Sequence, residues 1–355
     1  MNPILDLYTD YLICQNKYAT ATGLSDLLSK SISHDKITRF LNGKDMNSKD
    51  LWEFIKPEIR KHEEKSSGVL ILDDSIEEKP YTDENEIMCW HYSHSKGAHV
   101  KGVNIISCLV RYGDITFPIG YELVHKDVLF SDIATKKLKR KASITKNKHF
   151  RNMIAQSIKN QISFDYVLAD NWFCAKENLE YINKLSKKFI IGLKSNRIVA
   201  LSKNDKLNGQ FQKVSSLEMK DGQSIKVWLK GIKFSVTLIK KIFTNEDGST
   251  GILYLISNDL TADADQLYTI YQKRWKIEVY HKSIKQNSSL AKSPTKCVKS
   301  QSNHIFSSII AFCKLEFLQI KTALNHFSLK YKLIVRANQV AMAELQNLKN
   351  RFCVR

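Results

Sequence analysis

Four polar residues in the last third of the chain share one face of a predicted helix. They are Tyr271, Arg274, Glu278 and Lys285. An α-helix turns about 100° per residue, so these side chains fall within an arc of about 60°. Three isoleucines spaced by seven form an adjacent stripe that would enter the core. One carboxylate among three donors suits a metal ion beside a phosphate, although the same spacing is typical of a solvated face with weak ion pairs.

Three further carboxylates follow predicted buried strands. One strand directly precedes Asp73 and Asp74, and another directly precedes Asp170. In α/β sheets the reactive residues gather at the C-terminal ends of strands, although an Asp there is also a common turn or cap residue. Two such Asp residues and Glu278 would hold two Mg²⁺ ions about 4 Å apart, because Mg²⁺ prefers oxygen ligands. Neighbouring strand residues face opposite sides, so periodicity leaves the choice between Asp73 and Asp74 open.

The charge of the chain indicates a polyanionic partner. Its 355 residues include 55 Lys and Arg against 36 Asp and Glu, a net charge of +19. This excess favours nucleic acid through release of condensed counterions. The sequence predicts neither a membrane span nor a secretion signal, and its seven cysteines form no C-x-x-C pair. We therefore expect a cytoplasmic, nucleoid-associated protein without a membrane partner.

Hydrophobic periodicity predicts a mixed α/β sheet flanked by helices. A hairpin spans roughly 103–121, and buried strands alternate with helices up to residue 193. The N-terminal helices fit a helix-turn-helix or a plain bundle equally well, with Ser33 as an N-cap and Gly43 as a left-handed stop. The predicted domains are a helical DNA-binding domain at 1–65, a first catalytic part at 66–197, a β insertion at 198–250, the final strand and Glu helix at 251–290, and C-terminal helices at 291–355.

Three other features were weighed as sites. A zinc site at Cys89, His91, His94 and His99 fits no common finger spacing, so a polar DNA-facing loop is the preferred interpretation. The basic run at 136–141 is either a solvated, mobile segment or a phosphate-contacting loop. Trp228, the one Trp of the β insertion, lies in no motif, and no role is assigned to it.

The whole set of motifs resembles the DDE transposases of bacterial insertion sequences, in the cut-and-paste branch marked by Y-x2-R-x3-E-x6-K. The residues at 271–285 match that signature in full. The first acid lies in Leu-Asp-Asp-Ser at 72–75, where the resemblance places the metal ligand at Asp74, and the second is Asp170 in Ala-Asp-Asn-Trp-Phe at 169–173. The stretch Gly-Leu-Lys-Ser-Asn-Arg at 192–197 is also similar to this branch.

This resemblance implies an RNase H-like catalytic core and a set of residue roles. Asp74, Asp170 and Glu278 would bind Mg²⁺, with Mn²⁺ as a substitute. The residues implied to grip the phosphates of the terminal strand are Tyr271, Arg274, Lys285, Lys194 and Arg197. The implied partners are double-stranded DNA, comprising the terminal inverted repeats and the target, and a second copy of the chain in a homodimer.

Two other functions remain open from the sequence. One is a structure-specific endonuclease on the same RNase H-like fold, which would cut DNA without joining it to a target. The other is a catalytically inactive DNA-binding remnant of a transposase. Strand transfer into plasmid DNA separates the first from a transposase, and metal-dependent nicking of an end-bearing duplex separates the second.

Overall fold

Two compact units make up the computed structural model, which describes residues 2–63 and 67–352. The unit termed here the helical unit comprises Met1–Ile55, Ile76–Val103 and Val279–Arg355. The sheet unit comprises Lys56–Ser75 and Asn104–Glu278. The predicted linker around 60–68 includes residues 64–66, which lie outside the described residues.

The secondary structure alternates between the two units along the chain. The helices are α1 (Pro3–Cys14), α2 (Ala21–Leu27), α3 (His34–Leu41), α4 (Ser48–Glu63), α5 (Lys146–Lys159), α6 (Lys176–Lys184), α7 (Lys203–Leu207), α8 (Ala264–Gln272), α9 (Trp275–Gln286), α10 (Val298–Thr322) and α11 (His326–Phe352). The strands are β1 (Gly68–Glu78), β2 (Met88–Ser93), β3 (Ala98–Tyr112), β4 (Ile115–Leu123), β5 (Val128–Ser131), β6 (Leu138–Lys141), β7 (Phe164–Ala169), β8 (Lys188–Leu193), β9 (Ile198–Ala200), β10 (Gln212–Lys213), β11 (Ser224–Leu229), β12 (Val236–Thr244) and β13 (Thr250–Ser257).

The sheet unit is built on a mixed sheet. Its strand order is β10-β9-β11-β12-β13-β8-β7-β1-β3, and β4 pairs with β3. The central strands β1, β7 and β8 are parallel, and the pairings from β8 to β13 and from β3 to β4 are antiparallel. Helices α6 and α8 contact β8, and α5 contacts β4. The predicted class, a mixed α/β sheet flanked by helices, is confirmed.

Residues 198–250 are rich in strands, as their composition predicted. The strands β9 to β12 extend one edge of the same mixed sheet, because β12 pairs with β13 from Thr237 to Thr244. Trp228 lies on β11 opposite Ala200 of β9. The boundaries assigned to this segment and to the other predicted domains stay predictions.

The helical unit gathers residues from both ends of the chain into one core. Residues of α1, α2 and α3 pack with residues of α10 around buried Tyr8, Leu12, Leu24 and Ile37. The predicted N-cap is confirmed, because Ser33 Oγ accepts a hydrogen bond from the Lys36 amide at 3.3 Å. The left-handed stop at Gly43 is wrong, because the helix ends at Leu41 with Asn42 as its C-cap, and Gly43 does not adopt a positive φ.

Two predicted loops form β-hairpins instead. The segment with Cys89 and the three histidines forms β2, a turn that begins at His94, and the start of β3, and Tyr92 contacts His94 and His99 edge-on. The last four residues of the basic run form β6 (Leu138–Lys141), which pairs with β5, and Asp132 orders the turn by accepting from Thr135 and Lys139. A separate finding concerns membranes: in the described part of the chain, no helix is both long and apolar enough to cross one.

Candidate catalytic site

The strand β1 carries two acids just beyond the end of its parallel pairing. The last register pair joins Leu72 of β1 to Ala169 of β7, and the next residue on each strand is an Asp. The predicted end of this strand at Asp73–Asp74 is wrong, because β1 continues to Glu78. The two acids therefore sit on a regular strand, and Asp170 follows directly after the neighbouring strand.

Asp73 is a buried acid next to a guanidinium. Its Oδ2 lies 3.4 Å from Arg274 Nη1, and its Oδ1 accepts the Asp74 amide proton at 2.8 Å. Burial and the charge of Asp170 raise the pKa of Asp73 to about 8, against the opposing effect of Arg274. Ionisation of this carboxyl group is therefore unfavourable in the absence of a cation. Such a raised pKa is typical of a carboxylate at a functional site.

Asp74 has a different environment, rich in donors. Asn104 Nδ2 donates to Asp74 Oδ2 at 2.6 Å, and Lys146 Nζ donates to the same oxygen at 2.9 Å. The Lys146 ammonium also lies 4.3 Å from the centre of the Trp172 ring. Sequence analysis missed both Asn104 and Lys146. Neither lies in a motif, although Lys146 follows Thr145, whose side chain caps α5.

Asp170 follows directly after the strand β7 and caps the short 3₁₀ turn at Asn171–Phe173. Its Oδ1 accepts from the Trp172 amide at 3.0 Å. Burial raises the pKa of this carboxyl group, and the Asp74 charge adds to that effect. The turn lies directly against β8, since a Cβ added to Gly192 would come within 2.9 Å of the Asn171 amide nitrogen. Asp170 therefore caps a turn, and its position is also compatible with a role as a metal ligand.

The prediction of one continuous helix over 271–285 is wrong, because this segment contains two helices. Helix α8 ends at Gln272, α9 begins at Trp275, and Lys273 and Arg274 form a turn between them. Bonds of the i to i−3 type cross this turn, from the Arg274 amide to Tyr271 and from the Ile277 amide to Arg274. The backbone is therefore tighter here than in an α-helix, and the angles drawn for a continuous helix do not apply across it.

Arg274 links Asp73 to the helical glutamate. Its Nη1 lies 3.3 Å from Glu278 Oε1 as well as 3.4 Å from Asp73 Oδ2, and its guanidinium lies over the rings of Tyr271 and Trp275. Arg274 is 9% exposed, whereas the Glu278 side chain is 47% exposed. Among the described residues, Arg274 Nε is buried and has no hydrogen-bond partner. A phosphate oxygen would satisfy it.

The other predicted DNA contacts are placed less closely. Lys194 is exposed and Arg197 is half-buried just after β8. Burial raises the pKa of Cys174 to about 11, and the charge of Arg197 opposes this effect. Lys285 belongs to the helical unit. Its Nζ donates to the Ile76 carbonyl at 3.1 Å and lies 3.9 Å from Glu77. All the predicted site residues except Lys285 belong to the sheet unit, and among them Asp73, Asp74, Asp170, Tyr271, Arg274 and Glu278 form the cluster described above.

The donor set of this cluster suits a hard divalent cation. Four carboxylates, Asp73, Asp74, Asp170 and Glu278, supply only oxygen ligands, the type that Mg²⁺ and Mn²⁺ accept. The raised pKa values of Asp73 and Asp170 have burial as their first cause and a neighbouring acid as another. A cation would offset that repulsion, so the residues present fit a metal site.

A mixed sheet with acids after two adjacent parallel strands, and a glutamate on a helix after the last strand, defines an RNase H-like fold of the DDE type. Comparison with protein families agrees with this class. A family model described as DDE superfamily endonuclease matches residues 2–208, and one described as Transposase DDE domain matches residues 131–313. Each covers more than half of the chain, which therefore belongs to the DDE superfamily of transposases and endonucleases.

Membership gives the protein a nuclease-type role on DNA. Enzymes with DDE domains typically use divalent metals, in agreement with the acidic cluster. A search of curated proteins found no significant match.

Proposed function

We propose that the protein is the transposase of a bacterial insertion sequence, of the branch with the Y-x2-R-x3-E-x6-K signature. It cuts at the element's terminal inverted repeats and joins the released 3′-OH ends to target DNA. The observation that supports this most is the meeting of Asp73, Asp74, Asp170, Arg274 and Glu278 in one unit. The protein would act in the cytoplasm on nucleoid DNA, as a homodimer on the element's ends.

The metal ligands in this proposal are Asp74, Asp170 and Glu278. When bound there, Mg²⁺ or Mn²⁺ would activate the attacking oxygen and stabilise the leaving 3′ oxygen in an in-line displacement. The Glu278 side chain is more exposed than the two Asp side chains, so it faces the side from which DNA would approach. Asp73 stays an alternative first ligand, because its Oδ2 lies 3.4 Å from the Arg274 Nη1 that also contacts Glu278.

The phosphate contacts in this proposal are electrostatic. Arg274 Nε is buried beside the acids without a hydrogen-bond partner in the part of the chain that the structure describes, and Arg274 would bind the scissile phosphate next to the metal ligands. Tyr271 lies under its guanidinium and fixes its direction. Lys194, Arg197 and Lys285 would bind phosphates of the terminal strand further from the cut.

The proposal predicts that Glu278→Gln lowers metal-dependent cleavage of an end-bearing duplex at least about a hundredfold. The amide keeps the shape of the side chain but removes the charge that a metal needs, so binding of the terminal repeat should persist. Cleavage is measured by gel electrophoresis with Mg²⁺, and binding by mobility shift without metal. Glu246→Gln, an exposed acid between β12 and β13, is the matched control.

Near-normal cleavage by Glu278→Gln would overturn the assignment. Strand transfer of a pre-cut 3′-OH end into plasmid DNA tests the joining step separately. Cut product without joined product would indicate an endonuclease, and the absence of both from the parent chain would indicate an inactive DNA-binding protein.

A further inference from the structure

The last part of the chain is a long helix that leaves the core of its unit. The first residues of α11 pack closely, since Lys330 is buried and donates to the carbonyl oxygens of Ile13 and Gln15. Every residue from 336 to 351 is exposed. At 1.5 Å per residue this stretch is about 24 Å long. A helix of that length without tertiary packing is only marginally stable in water, so it gains much from a partner.

The exposed helix carries a stripe with the spacing of a coiled coil. The residues recur at intervals of four and three, and we term them the seam: half-buried Ile334 followed by exposed Asn338, Ala341, Leu345 and Leu348. Leu345 is 52% exposed and Leu348 is 39% exposed. Alternating steps of four and three place residues at the a and d positions of a heptad, along one side of the helix. The pattern therefore indicates a second helix along the seam.

Asn338 restricts the identity and direction of the helix that can pair with the seam. It occupies an a position, with Leu345 in the next a position, and the d positions are Ile334, Ala341 and Leu348. A single Asn at a specifies a two-stranded, in-register pair, because the two amides meet and bond to each other. In an antiparallel pair the amide would face an apolar d residue and lose its partner, which is costly. The helix that best matches this seam is therefore α11 of a second copy of the chain, running parallel to the first.

The charges beside the seam agree with that arrangement. Glu344 is at a g position and Lys349 at the following e position. In a parallel coiled coil, each g residue faces the e residue of the next heptad on the partner. Two Glu–Lys pairs would therefore form across the dimer. Both side chains are exposed and available for this contact.

We propose that α11 binds a second copy of this chain through the seam, as a parallel two-stranded coiled coil. The proposal rests on the proposed function in one respect, since it assigns a surface to the homodimer proposed there. The seam spans about two heptads, so the protein alone forms a reversible dimer whose fraction rises with concentration.

Sedimentation of the full chain without DNA tests the proposal. The parent should shift from monomer to dimer with concentration, and Leu345→Asp should raise the dissociation constant at least about tenfold by burying a charge at the seam. Val340→Asp is the matched control, since Val340 is 72% exposed but lies at a c position outside the seam. A parent that stays monomeric throughout, or equal effects of the two variants, would overturn the proposal.

A cysteine cross-link tests the direction of the helices. In a parallel pair the two copies of residue 338 face each other, so Asn338→Cys should form an intermolecular disulfide on mild oxidation. Val340→Cys and the parent chain control for other thiols, among them exposed Cys14 and Cys297. Cross-linking of Asn338→Cys no faster than of Val340→Cys would overturn the parallel arrangement.

Charge exchange gives a second readout, independent of oxidation. Glu344→Lys should weaken the dimer, and adding Lys349→Glu to that variant should restore it. No recovery in the double variant would contradict the predicted register. Because these measurements use no DNA, failure of the dimer leaves cleavage by the acidic cluster untouched, and loss of cleavage leaves the dimer untouched.

Discussion

Adjacent acids on one strand differ here in how their charges are compensated. Asp74 is paired with Lys146 and bonded to Asn104, whereas Asp73 has Arg274 at 3.4 Å and a pKa raised to about 8. Lys146 thus supplies a positive charge at the oxygen that the proposed metal would use. A bound cation and this ammonium group would compete for Asp74, because both need the same carboxylate.

Replacing Lys146 with Met therefore tests the role of Asp74. Lys146→Met keeps the length of the side chain but removes its charge, and we expect the affinity for Mg²⁺ to rise roughly tenfold. Calorimetric titration of the DNA-free protein measures this. Lys148→Met, an exposed position on the same helix, is the control and should leave the affinity unchanged.

The opposite results would be equally informative. If the Mg²⁺ affinity is unaffected by Lys146→Met and lost in Asp73→Asn, then Asp73 is the first metal ligand and the proposed Asp74 is not. If Asp74→Asn abolishes Mg²⁺ binding, Asp74 is the first metal ligand, as the family resemblance implies. Either result assigns the residue that strand periodicity left open.

The sequence predicted the acids of this site but not their hydrogen-bond partners Asn104 and Lys146, and the reason is physical. Asp170 and the Asp73–Asp74 pair are visible because each follows a continuous apolar run, the mark of a strand buried on both faces. Lys146 lies 72 residues from Asp74, and no local spacing connects them. Lys146 begins α5, and only the packing of that helix in the sheet unit brings it to Asp74.

At the level of elements, β8 and the turn after β7 approach each other closely in the site. Gly192 has no Cβ, and this allows the backbone of Asn171 to lie against it. We expect Gly192→Ala to cost about 1–3 kcal/mol, because the atoms it meets are backbone and cannot swing away. Urea unfolding measures the stability, and cleavage should fall with it because Asp170 is displaced.

A variant of the same strand separates these two effects. Ile191→Val removes one methyl from a fully buried side chain and should cost about 1 kcal/mol. It leaves Asn171 in place, so its cleavage rate should stay close to that of the parent. Equal losses of cleavage in the two variants would argue against displacement of Asp170.

The elements were predicted with uneven success. The parallel strands and the hairpin of β3 and β4 follow from apolar runs and a Gly-containing turn, and they are confirmed. The break between α8 and α9 was missed, because a single tightened turn hardly disturbs the spacing of apolar residues. The strand β1 was predicted too short, since its acidic C-terminal half carries no hydrophobic signal.

At the scale of the whole molecule, the core of the helical unit joins residues from opposite ends of the chain. His304 of α10 is fully buried, its Nδ1 lies 2.9 Å from the Tyr8 hydroxyl, and its Nε2 lies 3.1 Å from the Ser289 carbonyl. Since a carbonyl only accepts, Nε2 carries the proton and Nδ1 accepts from Tyr8. Such pairing over almost 300 residues has no local sequence signal, so it was not predicted.

This histidine makes the stability of the protein depend on pH. Burial lowers the pKa of His304 from 6.5 to about 4. The unfolded chain takes up its proton as the pH falls through 6.5, whereas the folded chain does so only near 4. Stability therefore falls between these pH values, by up to about 3 kcal/mol from this group. Urea unfolding across this range measures the loss.

Two variants identify the group responsible. In His304→Gln the titrating ring is gone, so the loss of stability between pH 6.5 and pH 4 should shrink. In Tyr8→Phe the imidazole remains buried, so most of the pH dependence should remain. An unchanged pH dependence in His304→Gln would show that other groups cause it.

The tightened turn at Lys273–Arg274 also fixes how many residues separate the arginine from the glutamate. Adding or removing one residue in α9 before Glu278 would rotate its side chain by about 100° and move it along the axis by about 1.5 Å. Arg274 would then face the side chain of a neighbouring position in place of Glu278. The segment from Tyr271 to Glu278 thus tolerates an exchange of its exposed side chains far better than any change in its length.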